Sequence, residues 1–279
     1  MTHLYYFGHH KCASTTMTRI FSRLCGIAGR RSGYVGSIYP EDLSGHLQQK
    51  GFDAVIFANA RYSKTEDLTD DFRGVHMIRD PRDIIVSGYF SHRYSHSTDG
   101  WPDMRKQREK LNACSIEEGL LLDMDFFPTN NALTEMRRWN YQDPRILELK
   151  FEEFTKDYLG SVVRIANHLF QRDIVQEATT PIENLKLDLN RRIHKLRIVN
   201  RFRPQVNTVH YSDCKRLSDQ FSFAKMTGRK RGQEDKKSHN RNGSSGQWRE
   251  VFTDVHREKF REKFGDVLQR TGYCTDDSW

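Results

Sequence analysis

Along the chain, short and wholly apolar runs alternate with longer stretches whose apolar residues recur every three or four positions. Residues 4–7, "LYYF", are such a run, and beyond them Met17, Ile20, Phe21 and Leu24 fall on one side of a helix beginning at Ser14. Runs at 53–58 ("DAVIFA"), 74–78 ("GVHMI") and 145–151 ("RILELKF") predict further buried strands, each bounded by polar or turn residues. Helical spacing follows over 82–90, 115–124, 131–141 and 159–170, and again over about 253–271. Strands alternating with helices predict an α/β fold in which a central parallel β-sheet is flanked by helices. Ligands of such sheets collect outside the carboxyl ends of the strands, and Lys11, Arg79 and Phe151 stand at or just past three of those ends. Between 191 and 242 the pattern fades into polar, basic sequence that reads as a solvated connection. A long connection between ordered elements is also where function concentrates, and "FSFAKMTGRKRG" mixes aromatic residues with cations there.

Three of the connections carry chemistry. Lys11, Cys12, Ala13, Ser14, Thr15 and Thr16 form a strand-to-helix turn rich in hydroxyls and in backbone N–H groups that a helix start leaves without partners. Such a turn binds anions; it is equally an N-capped turn with Ser14 or Thr15 as the cap. In "IRDPRDIIVSGYFSH", a strand ends in Arg79, Pro81 sits where a helix starts, and Ser87 follows eight residues after the arginine. Arg79 and Ser87 can converge on one anion, or Arg79 can pair with Asp80 or Asp83. In "RNGSSGQWREVF", Arg241, Asn242 and Gly243 open a donor-rich loop that can wrap a phosphate, or serve as a glycine-rich surface loop.

Charge narrows the partners. The 279 residues carry a formal net charge of +8 with 36% hydrophobic content, a globular chain suited to an anionic partner: nucleic acid, a membrane surface or a phosphorylated small molecule. The basic residues concentrate in 191–203 and 225–241. Five cysteines, at 12, 25, 114, 214 and 274, form no C-x-x-C pair, which argues for a reducing compartment. A first strand starting near residue 3 leaves no room for a signal peptide, and no run approaches transmembrane length, so the expectation is a cytoplasmic protein without membrane contact. His92 and His96 stand four apart without an accompanying acidic residue, so no metal is expected.

Lys-x-x-Ser-Thr-Thr after the first strand, Arg-x7-Ser after a middle strand and Arg-x-Gly-x-x-Gly-x-Trp near the C-terminus occur in this order in sulfotransferases that use 3′-phosphoadenosine 5′-phosphosulfate (PAPS). The chain resembles a soluble member of that family, of the cytosolic or bacterial type, over nearly its whole length. The resemblance implies one domain over 1–279 with the P-loop-like sulfotransferase fold, a basic donor-binding segment at 217–252 and a C-terminal helix at about 253–271. It implies transfer of a sulfuryl group to a hydroxyl or amine of a small-molecule acceptor, with release of 3′,5′-adenosine bisphosphate (PAP) and no metal. By the same resemblance Lys11, Cys12, Ala13, Ser14, Thr15 and Thr16 hold the 5′-phosphosulfate, and Arg79, Ser87, Arg241, Asn242 and Gly243 the 3′-phosphate. Ser222, Phe223 and Phe151 border the adenine. Lys11 meets the charge on the leaving oxygen, and Ser87 holds the lysine back until acceptor binds.

Two departures from the family pattern stand out. Thr16 replaces the tryptophan that ends the first loop in many members. No histidine occurs in "VIFANARYS", where many members carry the general base and this chain has Asn59. Glu41 fits loosely the position of a base in other branches; His10 is its rival, and His92 or His96 can reach in from the acceptor side. The segment "SHRYSHSTDGWPDMR", with His92, Tyr94 and Trp101, is expected to line the acceptor pocket. A monomer and a homodimer stay equally open. The competing readings are a P-loop-like nucleotide kinase, although G-x-x-x-x-G-K-[ST] is absent, and a basic nucleic-acid-binding protein without turnover.

Overall fold

The computed structural model describes residues 2–36, 38–65, 67–195, 203–238, 240–275 and 279. In chain order come β1 (His3–Phe7), α1 (Ser14–Ile27), β2 (Ser32–Val35), α2 (Leu43–Lys50), β3 (Ala54–Phe57), β4 (Phe72–Ile78) and α3 (Pro81–Phe90). Helix α3 runs into a π-helical turn, Ser91–Ser95, followed by α4 (Pro102–Ala113), α5 (Ile116–Asp125) and α6 (Phe127–Arg138). Then follow β5 (Ile146–Lys150), α7 (Phe151–Lys156), α8 (Tyr158–Phe170), α9 (Pro181–Lys195), α10 (Tyr211–Gln220), α11 (Phe223–Thr227), α12 (Trp248–Val251) and α13 (Asp254–Arg270). Basic residues of the stretch 191–203 that fall in 196–202 lie outside the described residues.

The strands form a single parallel α/β sheet in the order β2-β3-β1-β4-β5, with Leu4 opposite both Ala54 and Arg73. Strand β1 is therefore central and buried on both faces, which explains its unbroken apolar run. Leu4 and Tyr6 enter a core shared with Met17, Ile20, Phe21 and Leu24 of α1. Tyr5 and Phe7 enter the opposite one, with Phe57, Phe72 and Trp139. Each such side chain contributes about 1.5–3 kcal/mol by leaving water. The chain winds from β1 toward β2 and β3 on one side and continues as β4 and β5 on the other. Strand order thus reverses between β1 and β4, and the crevice beyond their carboxyl ends receives the connections after both.

Two parts of the pattern differ from expectation. Strand β2, "SGYV", lacks an apolar run because it is an edge strand with Ser32 half-buried and Tyr34 exposed. The basic stretch 191–242 also holds helices α10 and α11. A narrow apolar stripe, Cys214 and Leu217, seats α10 against α8 and α1, too short to stand out among its polar neighbours. Among the described residues, no helix is long and apolar enough to cross a membrane.

Candidate active site

The loop after β1 is bent by its own backbone. Lys11 and Ala13 both take left-handed conformations, φ 64° and 56°, and neither is glycine. Each costs about 1–2 kcal/mol, and such strain concentrates at functional sites. Ala13 is the N-cap of α1 and offers no side-chain cap. Ser14, at the first helical position, donates its hydroxyl backward to His9 O at 2.5 Å. The capping alternative for Ser14 and Thr15 thus gives way to a helix whose N-cap is Ala13, with no side-chain cap there, and whose first turn lines a cavity. Thr16 is buried, its hydroxyl 3.9 Å from the sulfur of Met226. Cys12 is buried beneath the loop.

Arg79 reaches across from the end of β4. Its guanidinium donates to Lys11 O at 3.4 Å and to Ser244 O at 3.1 Å, and lies 4.5 Å from the centre of the Phe151 ring. Its Nε is buried with no hydrogen-bond partner among the described residues. The open ion-pair question resolves in two parts. Asp80 caps α3 and holds Arg82 in a bidentate pair at 2.9 and 2.8 Å, whereas Asp83 lies 3.8 Å from Arg79. Both oxygens of Asp83 accept from the C-terminal loop, from Gly246 N at 2.6 Å and Trp248 N at 3.1 Å. Burial raises the Asp83 pKa. Arg82 is held between the rings of Trp248 and Trp279, at 3.9 and 4.9 Å.

The C-terminal loop closes the third side. Arg241 stacks on Phe90 at 4.0 Å and pairs with Glu234 and Gln247. Asn242 Oδ1 accepts from Ser244 N at 2.9 Å and orders the turn. Gly243 has φ 67°, and a Cβ there would stand 2.6 Å from the Phe223 ring, so only glycine fits.

These segments enclose a cavity of about 300 Å³ lined by His10, Lys11, Ser14, Thr15, Thr16, Arg79, Ser87, Phe151, Phe223, Arg241, Asn242 and Gly243. Tyr34, Asn59, His96 and Tyr158, not all of them anticipated, share its wall. Burial first, then Arg79, lowers the Lys11 pKa to about 7; Asp123 pulls it upward, and Arg241 adds a lesser downward push. Burial likewise lowers His96.

Other candidates stand apart. Glu41 is exposed on the turn before α2 and is absent from the cavity wall; its neighbour Asp42 caps that helix. Ser222 caps α11 and turns away from the lining that Phe223 joins. Tyr94 is exposed against Phe90 and Arg93, and Trp101 packs on His96 and Phe126 behind the wall. His92 is wholly buried rather than facing the cavity: its Nδ1 lies 2.6 Å from Asp123 Oδ1 and its Nε2 2.9 Å from His10 Nε2. Asp123 had no signal in the sequence, because a lone aspartate inside an apolar helix pattern is distinguished only by what it touches. Among the described residues no cluster of His, Cys, Asp or Glu could hold a metal ion.

A sequence model of the sulfotransferase domain matches residues 64–272. That span includes Arg79, Ser87 and Arg241 and begins beyond the loop after β1. Among solved structures, mouse sulfotransferase SULT7A1 complexed with PAP is similar with a TM-score of 0.55 and 15% identity, over 96% of this chain and 85% of that one. Retinol dehydratase with androsterone and inactive cofactor PAP gives a TM-score of 0.47 at 16% identity, over 95% of this chain and 80% of that one. No curated protein matches the chain by sequence. At these identities the structural likeness concerns the fold, which the mouse enzyme shares.

Proposed function

The chain belongs to the sulfotransferase family, and on that premise we propose that its cavity takes PAPS and passes the sulfuryl group to a hydroxyl or amine of a small-molecule acceptor. The observation that supports this most is the convergence of three sequence-distant segments, 11–16, Arg79 with Ser87, and 241–243, on one cationic cavity. In this proposal the helix start at 14–16 and Lys11 hold the 5′-phosphosulfate, and Arg79, Ser87, Arg241 and Gly243 the 3′-phosphate, with Asn242 ordering the turn. Phe223 and Phe151 border the adenine. The buried Arg79 Nε, without a hydrogen-bond partner among the described residues, is a donor that a phosphate oxygen would satisfy.

Sulfuryl transfer makes few covalent demands on a protein: the reactants are aligned and charge on the leaving oxygen is stabilised. Lys11, beside the oxygen that becomes a phosphate oxygen of PAP, supplies the positive charge there. Ser87, on the same wall, restrains the lysine until acceptor arrives. The proposal includes a cytoplasmic protein acting without metal. The basic surface is assigned to the donor's phosphates rather than to nucleic acid.

Calorimetric titration with PAP beside 5′-AMP and ATP, without metal, tests the donor assignment. One or two charge-assisted hydrogen bonds to the 3′-phosphate, about 1.5–3 kcal/mol each, correspond to a preference for PAP over 5′-AMP of at least about tenfold. Equal affinities would remove the assignment.

A further inference from the structure

Two consecutive residues of the loop after β1, His9 and His10, each meet a second imidazole. In one, His9 Nε2 is 2.7 Å from His76 Nε2, and His76 Nδ1 is 2.6 Å from Glu148, which also accepts from Trp139 Nε1 at 2.8 Å. His9 is buried and absent from the cavity wall, so that chain ends inside the protein. The other has the same order, acid, histidine, histidine, but its last member, His10, lines the cavity next to Lys11.

We propose that Asp123, acting through His92, holds His10 in the tautomer whose Nδ1 accepts the proton of the acceptor, so that His10 is the general base and His92 and Asp123 are its positioning residues. This rests on the sulfotransferase reading of the cavity. With Asp123 ionised and His92 neutral, the contacts fit one order of protons. Asp123 Oδ2 accepts from Thr129 Oγ1 at 3.0 Å and Oδ1 faces His92 Nδ1 at 2.6 Å, so the carboxylate is acceptor on both sides and His92 carries its proton on Nδ1. With His92 neutral, the lone pair on its Nε2 faces His10 Nε2 at 2.9 Å, and His10 donates there. A neutral His10 protonated on Nε2 has its lone pair on Nδ1.

The surroundings hold this arrangement. His92 and Asp123 are both fully buried. Arg108 Nε, from α4, donates to His92 O at 2.8 Å and fixes the π-helical turn. Gly88 leaves room for the carboxylate, since a Cβ there would stand 2.6 Å from Asp123 Oδ2. Among the described contacts, Lys11 neighbours His10 on its own loop, His92 meets it from the turn and His96 from just past the turn, and Asp123, on α5, reaches it through His92. During transfer the acceptor oxygen or nitrogen forms its bond to sulfur as the bond from sulfur to the bridging oxygen breaks. That electron pair stays on PAP, and the acceptor's proton goes to His10 Nδ1. The buried carboxylate stabilises the resulting imidazolium across the His92 bridge.

Nitrogen NMR of the full chain labelled at histidine, with and without PAP, reads the tautomers directly; His10→Gln and His92→Gln assign the signals by their loss. The expected result is a proton on Nδ1 of His92 and on Nε2 of His10 at pH 7.5. Asp123→Asn should return His92 to the ordinary Nε2–H form and lower the His10 titration midpoint by about one pH unit, as loss of a nearby opposite charge does. His92 protonated on Nε2, or His10 remaining an imidazolium at pH 7.5, would overturn the proposal; both states are read on the unsubstituted protein, the variants serving only to assign its signals. The tautomers are read whether or not PAP binds, so failure of the donor assignment appears separately, as missing bisphosphate preference in the titration.

Discussion

The proposed transfer asks Lys11 to act as a cation where its surroundings disfavour one. With its pKa lowered from 10.5 to about 7 by burial and by Arg79 and Arg241, the ligand-free lysine is partly neutral at physiological pH. Between about 7 and 10.5 the unfolded chain holds a proton that the folded chain has released, so this group makes stability rise with pH across that window. Lys11→Met should flatten that slope, which urea midpoints measured from pH 6.5 to 9 would reveal; an unchanged slope would show that the lysine is not desolvated. A bound bisphosphate reverses the bias. PAP binding above pH 7 should take up a proton, visible as a dependence of calorimetric heat on buffer ionisation, and its affinity should fall as pH rises. Lys11→Ala should abolish the uptake and lower turnover about 10²–10³-fold, the range for loss of one charge-stabilising donor.

The lysine's neighbourhood could be read from sequence because a strand, a turn and a helix follow one another without a break, and local order decides what lies beside Lys11. The proposed proton acceptor could not. Its candidates differ by tertiary placement alone: Glu41 lies in solvent on a turn, while His10 meets His92 across 82 residues and His92 meets Asp123 across 31. No spacing rule connects positions so far apart.

At the scale of elements, Asp83 matters most for assembly. From the first turn of α3 it fixes the C-terminal loop through Gly246 and Trp248 and faces Arg79, so one carboxylate aligns two of the three segments that meet at the cavity. Asp83→Asn keeps the shape but loses one strong acceptor and the ion pair. Destabilisation of about 2 kcal/mol is expected, the scale of a hydrogen bond to a charged group, with PAP affinity lowered about tenfold or more. Chemical denaturation and titration on the same sample would check both, and unaltered PAP affinity would deny Asp83 its organising part. Gly243→Ala meets two penalties, a left-handed φ and the Phe223 ring 2.6 Å from the new methyl. It should weaken PAP binding while leaving the thermal transition within a few degrees, because the loop lies outside both cores. Sequence patterning finds elements that bury a continuous face, such as β1, and misses those that bury little. Strand β2 at the sheet edge and the narrow stripe of α10 are of the second kind, and Phe223 of α11 is recognisable by its contact with Gly243 rather than by any period.

For the whole molecule, the sheet order β2-β3-β1-β4-β5 has a temporal consequence. The first strand made is the middle strand of the sheet, and it stays unpaired until β3 and β4 exist. Arg79 meets Ser244 only after a further 165 residues. Contacts of such sequence separation form slowly, since loop closure precedes any reward. Refolding from denaturant should therefore recover far-ultraviolet dichroism before it recovers PAP binding, with a resolvable lag; coincident phases would mean that loop and sheet assemble together. A nascent chain that ends before residue 244 would already bury most of β1 yet hold an anion cradle with one wall missing. For this protein, folded and competent are successive states, and ligand-dependent protection of the C-terminal loop, rather than secondary-structure content, marks the arrival of the second.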